Sequence, residues 1–354
     1  MDPLSQGVFG ASLSQSFARD KTKQLSALVI GALAGMAPDL DVLIHSADDP
    51  LVFLEFHRQF SHSLVFIPFG ALLCALIFNP FFNSAWVNSR RARFKWAPAK
   101  LSFRRIYLFS FLGYATHGLL DACTSYGTQL FWPFSNQRFA WNTVSIIDPL
   151  FTLPVIVFIS LAVYRKNVRY ARIAFAYAVI FLSLGIFQNQ RAEQAAYALA
   201  GQRGHQIERL QVKPSFANRH LWKIIYEYDG RYYVDAVKLL WNTEYISGTS
   251  IQKLDVQRDF PWLPVDSQQA KDIERFRWFS DGFLALSTKN PDLIMDIRYS
   301  FLPNSVDSMW GVEVDKQPVD EGRLDTHIKY EIQREMDEKV VRRFFQMLFY
   351  GKLN

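Results

Sequence analysis

The stretch HGLLDACTSYG, residues 117–127, places a histidine and an aspartate four residues apart at the end of an otherwise apolar segment. Residues with this spacing lie on one face of a helix, one turn above the other. The imidazole of His117 and the carboxylate of Asp121 can therefore reach the same metal ion. Ionisable side chains inside an apolar segment are functional candidates by default, and a buried ion pair that joins two helices is the structural alternative.

Other side chains that bind metals lie at the ends of neighbouring apolar segments. The first segment ends in PDLD, which contains Asp39 and Asp41, and the loop FHRQFSHS contains His57 and His62. A helix end or a turn would explain each of them alone. Because the topology described below brings these ends to the same face, we predict one common metal site. Its candidate ligands are Asp39, Asp41, His57, His62, His117 and Asp121.

Long apolar runs dominate the first half of the chain and determine where these side chains lie. A helix of about 20 residues crosses a hydrocarbon core of about 30 Å. Four runs are long enough, or nearly so: 64–82, 106–123, 147–164 and 171–187. A fifth run, 25–37, is shorter, so a re-entrant helix and a full span both fit it. We therefore predict a membrane protein, mainly α, with a bundle of about four to five transmembrane helices.

The basic residues of the connecting loops predict the orientation of these helices. Residues 83–105 and 165–172 together contain eleven Lys and Arg residues, whereas 39–61 and 124–146 together contain two. Short loops rich in Lys and Arg stay in the cytoplasm. The basic loops are therefore predicted inside, and the ends that carry aspartate and histidine are predicted outside. The last span then delivers the remainder of the chain to the extracytoplasmic side.

The net charge of the chain, +6 over 354 residues, does not indicate nucleic-acid binding. Its densest basic run, SRRARFKWAPAKLSFRR, lies between two apolar segments, so we assign it to a loop that flanks the membrane. The two cysteines lie inside apolar runs and provide neither a disulfide framework nor a thiolate site. Imidazole and carboxylate ligands suit Zn²⁺, with Mn²⁺ or Fe²⁺ as alternatives. Six ligands exceed the need of one tetrahedral zinc, which leaves room for two metals or for one metal and a general base.

The second half of the chain alternates strand and helix patterns. Asp229-Gly230 separates two runs rich in β-branched and aromatic residues, which is a strong signal for a two-residue hairpin. Further elements follow from periodicity: strands in 292–301, 309–315 and 323–332, and helices in 267–279 and 338–350. The chain is thus predicted to divide into a transmembrane helical domain, 1–188, that carries the metal site, and an extracytoplasmic α+β domain, 189–354.

Five motifs occur in order within residues 1–155: MDPLSQGVFGA, PDLDV, HRQFSHS, HGLLDACTSYGTQLFWPF and IIDPLFTLP. Together they resemble the YdjM-type family of inner-membrane proteins described as metal-dependent hydrolases. The resemblance implies a bacterial inner-membrane protein with several spans, and it implies the same six metal-site positions. Many members have a histidine near the start of the chain, where this sequence has Gln6.

These features favour a membrane-bound hydrolase in which a metal-activated water attacks an ester or a phosphoester. We expect Asp41 or His62 to relay the proton and Arg58 to hold an anionic group such as a phosphate. The position at the membrane boundary favours a lipid or lipid-linked substrate, with the bilayer as partner and no nucleic acid. The alternative is a non-enzymatic anchor that presents an extracytoplasmic binding or stress-sensing domain. A transporter would place its charged residues near the middle of the spans, whereas these residues lie at the ends of the apolar segments, which disfavours a transporter.

Overall fold

The computed structural model describes residues 1–87, 89, 99–333 and 337–351, and the chain separates into two compact units. The first unit comprises Met1–Leu43, Phe56–Phe187 and Phe216–Asn218. The second comprises Ile44–Glu55, Gln188–Ser215 and Arg219–Asn354. Most of the basic run that was assigned to a membrane-flanking loop, residues 90–98, lies outside the described residues.

The first half of the chain is helical. Its helices are α1 (Pro3–Ser16), α2 (Gln24–Met36), α3 (Val52–Phe56), α4 (Ile67–Phe82), α5 (Phe103–Ala122), α6 (Pro149–Tyr164) and α7 (Val168–Gln202). Short 3₁₀ segments cover Lys21–Lys23, Ala37–Leu43 and Phe60–His62. Helix α7 continues past the predicted end of its apolar run, so its residues from Gln188 onwards belong to the second unit.

Within the described residues, two helical stretches are long and apolar enough to cross a membrane, Gln24–Leu43 and Val168–Gln202. A third candidate is the pair Val52–His62 and Ile67–Phe82, whose helices meet at a bend of 87°. Helix α6 has 16 residues and is shorter than these stretches. Length and composition thus support two or three spans, fewer than the predicted four to five.

The two predicted spans that are not among these candidates are 106–123 and 147–164, the second because α6 has only 16 residues. Helix α5 has 20 residues but carries Arg104 and Arg105 in its first turn and the His117/Asp121 pair in its last turns, which lowers its mean hydropathy. The run 64–82 was predicted as one helix, whereas the chain bends where α4 begins. The run 25–37, by contrast, is longer than predicted. It continues as a 3₁₀ segment to Leu43, so the whole stretch has 20 residues and is long enough to be a candidate span.

Helix α1 was not predicted from the sequence pattern. Asp2 caps its N-terminus by accepting a hydrogen bond from Ser5 N over 3.0 Å, and Pro3 follows the cap. Most of its residues are buried, including the polar residues Ser5, Gln6 and Ser12. Because polar residues are buried on several sides of this helix, it lacks the apolar stripe by which an amphipathic helix is recognised.

Glycines allow α1, α2 and α5 to pack backbone against backbone. A Cβ atom on Gly113 would collide with the carbonyl oxygen of Gly31, and one on Gly10 would lie 2.6 Å from the same oxygen. Gly31 and Gly35 form a GxxxG pattern, which favours close helix contacts in membranes. The contact fixes the end of α2, which leads into the PDLD motif, against the part of α5 that carries the HGLLD motif.

The second unit contains, in its described residues, two four-stranded antiparallel sheets. The first has the order β1 (Arg209–Pro214), β2 (Leu221–Tyr228), β3 (Arg231–Leu239) and β4 (Thr243–Gln252). The second has the order β5 (Leu284–Leu286), β6 (Leu293–Asp296), β7 (Trp310–Glu313) and β8 (Lys329–Ile332). Helices α8 (Val256–Asp259), α9 (Gln268–Phe279), α10 (Lys316–Asp320) and α11 (Glu338–Tyr350) complete the unit.

The core of the second unit lies on both faces of the first sheet. Trp222 and Val237 pack with Ala196 of α7 on one face, whereas Val234 packs with Leu293 of the second sheet on the other. Strand β2 is therefore buried on both faces. The α+β character predicted for this half of the chain is confirmed, as are the helices predicted in 267–279 and 338–350.

The hairpin predicted at Asp229-Gly230 is also confirmed. Tyr228 pairs with Arg231, so the loop contains two residues, and φ is 50° at Asp229 and 67° at Gly230. Positive φ at both central positions is the type I′ turn that matches the twist of the flanking strands. Glycine reaches this conformation without steric cost.

Candidate metal centre

Four ionisable side chains converge in the first unit. Within the described part of the chain, one ligand atom from each of Asp39, His62, His117 and Asp121 lies within 4.8 Å of the others. They come from three segments, namely the 3₁₀ segment after α2, the 3₁₀ segment before α4, and the last turns of α5. The side chains of His62, His117 and Asp121 are fully buried, whereas that of Asp39 is 18% exposed.

The distances between these ligand atoms suit a tetrahedral site. His62 Nε2 lies 2.8 Å from His117 Nε2 and 3.2 Å from Asp121 Oδ2. Asp39 Oδ1 lies 3.4 Å from His62 Nε2 and 3.3 Å from His117 Nε2. Zinc–ligand bonds of about 2.0–2.1 Å at tetrahedral angles separate neighbouring ligand atoms by roughly 3.3 Å. The donor types and their spacing are therefore compatible with a divalent ion such as Zn²⁺.

Both imidazoles are oriented through the ring nitrogen that points away from this group. His117 Nδ1 lies 2.6 Å from the carbonyl oxygen of Gly35, and His62 Nδ1 lies 3.1 Å from Asp41 Oδ2. A carbonyl or carboxylate oxygen only accepts, and Ser61 Oγ, which lies 3.0 Å from His62 Nδ1, donates its own proton to Asp41. Each Nδ1 therefore carries the proton in the neutral ring. Two Nε2 lone pairs then face each other across 2.8 Å. A cation at this position, either a proton or a metal ion, removes their repulsion.

The side chain of Asp121 is a second, independent indication that a cation binds at this position. Its Oδ2 atom is buried and has no hydrogen-bond partner among the residues that the structure describes. Its Oδ1 atom accepts from Gln6 Nε2 over 2.8 Å and contacts the amino group of Met1. Arg58 Nε lies 3.2 Å from Oδ2 as an ion pair, without hydrogen-bond geometry. A buried carboxylate oxygen without a hydrogen bond is costly, and coordination of a metal ion would satisfy it.

Asp41 and His57, which were also predicted as ligands, lie beside the group of four. Asp41 Oδ2 accepts from Ser61 Oγ over 2.7 Å and from Arg58 N over 3.1 Å, and Oδ1 lies 2.7 Å from His57 Nδ1. The carboxylate thus bridges His57 and His62. This is the arrangement in which a carboxylate orients a metal-binding histidine from behind. His57 occupies the far side of Asp41 and is 21% exposed.

Arg58, which was predicted to hold a substrate anion, is buried and engaged inside the protein. Its Nη1 atom donates to Thr124 Oγ1 over 3.0 Å, and its guanidinium carbon lies 4.8 Å from the ring centre of Tyr126. Its backbone has φ of 68°, a strained conformation for this residue type. In this position the guanidinium balances the charge of Asp121.

Two further polar residues have roles that were not predicted from the sequence. Gln6 of α1 donates a hydrogen bond to Asp121. In the sequence, Gln6 was notable only as the position where many similar proteins have a histidine. Asp148, in the motif IIDPLFTLP, caps α6 by accepting from Leu150 N over 3.0 Å. The DP pair at the start of α6 is a helix-start signal that could have predicted this role.

The comparison with known families covers this entire group. The model of the YdjM inner membrane protein family matches residues 1–192. This chain belongs to the YdjM inner membrane protein family. The predicted resemblance is therefore confirmed, and membership places the protein in the bacterial inner membrane.

Two relatives match shorter parts of the chain. The protein YfhP of Bacillus subtilis is 28% identical over 124 residues, which is 35% of this chain and 33% of the relative. Inner membrane protein YbcI of Escherichia coli is 29% identical over 123 residues, which is 34% of this chain and 61% of the relative. The chain thus spans about a third and about three fifths of the length of these relatives. No solved structure matches the chain.

Proposed function

We propose that this protein is a membrane-bound, metal-dependent hydrolase that cleaves an ester or a phosphoester. The observation that supports a metal most directly is the pair of Nε2 atoms of His62 and His117, 2.8 Å apart, with both Nδ1 atoms bound to acceptors. Three protein ligands with one open position are typical of catalytic zinc sites. We retain Zn²⁺ as the first choice, with Mn²⁺ and Fe²⁺ as alternatives.

The exposure of the four side chains suggests which of them are metal ligands and which is the general base. His62, His117 and Asp121 are fully buried, whereas Asp39 is 18% exposed and is therefore the one of the four that solvent can reach. We assign the three buried residues as ligands and Asp39 as the general base, whose carboxylate takes a proton from the attacking water. When bound, a divalent cation supplies Lewis-acid polarisation of the substrate oxygen and lowers the pKa of a coordinated water.

The neighbouring side chains hold this arrangement in place. Asp41 fixes the tautomer of His62 through Nδ1, and Arg58 offsets the negative charge of Asp121. We therefore assign Asp41 and Arg58 as positioning residues rather than as groups that contact the substrate. His57 lies behind Asp41 and completes the chain of hydrogen bonds.

Exchange of Asp39 for asparagine should separate metal binding from hydrolysis. We expect Asp39→Asn to keep most of the bound metal, because three ligands remain, and to lower turnover about 100-fold, which is typical for loss of a general base. Asp20→Asn is the matched control, since Asp20 is 43% exposed and pairs with Lys23. The assay uses zinc-loaded protein in mixed micelles with a phosphodiester, a phosphomonoester and a carboxylic ester, each free and attached to diacylglycerol.

A metal-loaded wild type that cleaves none of these compounds would contradict the hydrolase proposal. It would favour the alternative, a membrane anchor that presents a binding or stress-sensing domain. Preference for the diacylglycerol-linked compounds would support a lipid substrate, which we propose because the predicted site lies at the membrane boundary.

We further propose the topology that the basic loops predict, with four to five spans, the division at residues 188 and 189, and residues 189–354 outside the cytoplasm. Single cysteines at Ser89 and Val265 test it in a Cys74→Ala/Cys123→Ala background. Both positions are exposed. A membrane-impermeant maleimide should label position 265 in intact spheroplasts and position 89 only after lysis. The reverse pattern would invert the topology and place the candidate site at the cytoplasmic face.

A further inference from the structure

Large apolar side chains are exposed at one edge of the second unit. Trp241, in the turn between β3 and β4, is 99% exposed, and Leu240 beside it is 46% exposed. On α11, Phe345, Phe349 and Tyr350 are 49%, 66% and 77% exposed. We call these five residues the aromatic edge. Large apolar side chains that are exposed together in this way mark an interaction surface.

Helix α11 ends beside the turn that carries Trp241. Lys238, at the end of β3, donates through Nζ to the carbonyl oxygen of Phe349 over 2.7 Å. Phe344 and Met347 on the inner face of α11 are buried in the core of the unit. Phe345 stacks on Phe349, with ring centres 6.1 Å apart, on the outer face. The two parts of the aromatic edge therefore lie at the same end of the first sheet.

The segment of α7 that belongs to the second unit contacts this edge. Gln188 follows the apolar run 171–187, and its Nε2 atom donates to Leu239 O over 3.3 Å. Arg191 Nη2 donates to Leu240 O over 2.8 Å. The turn is thus tied to the first helical turn beyond the apolar run. A membrane-crossing helix meets the lipid headgroups at that level.

We propose that the aromatic edge inserts into the headgroup–acyl boundary of the bilayer that α7 crosses. Trp and Tyr prefer this boundary. Helix α11 has 13 residues, too few to span a core of about 30 Å. Its exposed Arg342 shares a face with Phe345 and Phe349, because the spacing is i, i+3, i+7. Arg342 also lies 3.4 Å from Glu338, one turn earlier on the same face. Polar and charged side chains beside exposed aromatic ones suit the headgroup region above the acyl chains.

The bilayer explains these observations better than a second copy of the chain does. The hydrogen bonds from Gln188 and Arg191 hold the turn beside the residues that directly follow the apolar run of α7, at the level where the proposed span leaves the acyl chains. Arg343 adds a second exposed cation on α11. The second unit is accordingly held to the membrane by α7 and by its own aromatic edge.

Spin labels on the full chain test this proposal in nanodiscs of phosphatidylethanolamine and phosphatidylglycerol. Cysteines replace Trp241 and Phe349 in the Cys74→Ala/Cys123→Ala background, and Gln206→Cys is the control. Trp241 and Phe349 are 99% and 66% exposed, so their replacement removes little packing. Gln206 is exposed and follows the end of α7 at Gln202, which lies about 21 Å beyond Gln188 at 1.5 Å per residue.

We expect labels at 241 and 349 to collide more often with oxygen than with a polar nickel chelate, and we expect the reverse at 206. Collision with the chelate at 241 and 349 as frequent as at 206 would show that the aromatic edge lies in water and would overturn the proposal. Exclusion of both reagents from 241 and 349 would also overturn it, because that result indicates a protein surface on the edge.

Discussion

His117→Ala is expected to abolish stoichiometric metal binding, and the double variant His117→Ala/Asp121→Ala is expected to lose nothing more. Both side chains reach the same point from one face of α5, so removal of either one opens the same site. Loss of an outer partner of a ligand typically costs about 10–100-fold in metal affinity, and loss of the ligand should cost more than that. Elemental analysis of detergent-purified protein and competition with a fluorescent zinc chelator measure the effect.

His45→Ala is the matched control, because His45 is exposed and lies outside the group of four. A buried network of ion pairs without metal predicts different behaviour. Each single variant would strand a buried charge at a cost of about 3–5 kcal/mol, and the double variant would recover part of that stability. Wild-type protein without stoichiometric metal, together with a double variant more stable than either single variant, would rule out the metal site.

Gly118→Ala is expected to remove the metal without changing any ligand. A Cβ atom on Gly118 would collide with the backbone carbonyl oxygen of His62. Backbone atoms cannot rotate away as a side-chain tip can, so the segment that carries His62 must shift. We expect metal affinity to fall more than 10-fold and the free energy of unfolding to fall by about 1–3 kcal/mol. Zinc content and thermal unfolding of the purified protein measure both.

Gly201→Ala makes the same chemical change where the structure leaves open space. Gly201 lies near the end of α7, and a Cβ atom there meets nothing within 4 Å among the described residues. Alanine should therefore leave metal content unchanged and stabilise the helix slightly. If Gly118→Ala retained wild-type zinc affinity, the close contact between α5 and His62 would not position the site as we infer.

The sequence predicted the members of the group of four because their signals are local. His117 and Asp121 follow the helical period, and Asp39 and His62 lie at the ends of apolar runs whose direction the basic loops indicate. The different positions of Asp39 and Asp41 were not predictable in this way. These residues are two apart in a 3₁₀ segment, and only the tertiary contacts of His62 turn one towards the group and the other behind it.

Other features escaped prediction because they depend on packing between distant segments. Helix α1 buries serines and Gln6 against other helices, so its hydropathy resembles that of a loop. The apolar run 64–82 is continuous in the sequence, so its pattern does not predict the bend before α4. The hairpin at Asp229-Gly230, by contrast, depends only on the backbone preferences of its own two residues, and it was predicted to the residue.

The hydrogen bond between His117 Nδ1 and Gly35 O joins residues that are 82 positions apart. During synthesis, the segment with Asp39 and His62 is translated before the segment with His117 and Asp121. A chain that has made only the first half holds two of the four side chains and no partner for Gly35 O. A metal ion bound at the proposed site would therefore bind after α5 has docked on α2, and it would stabilise helices that are already packed rather than start their assembly.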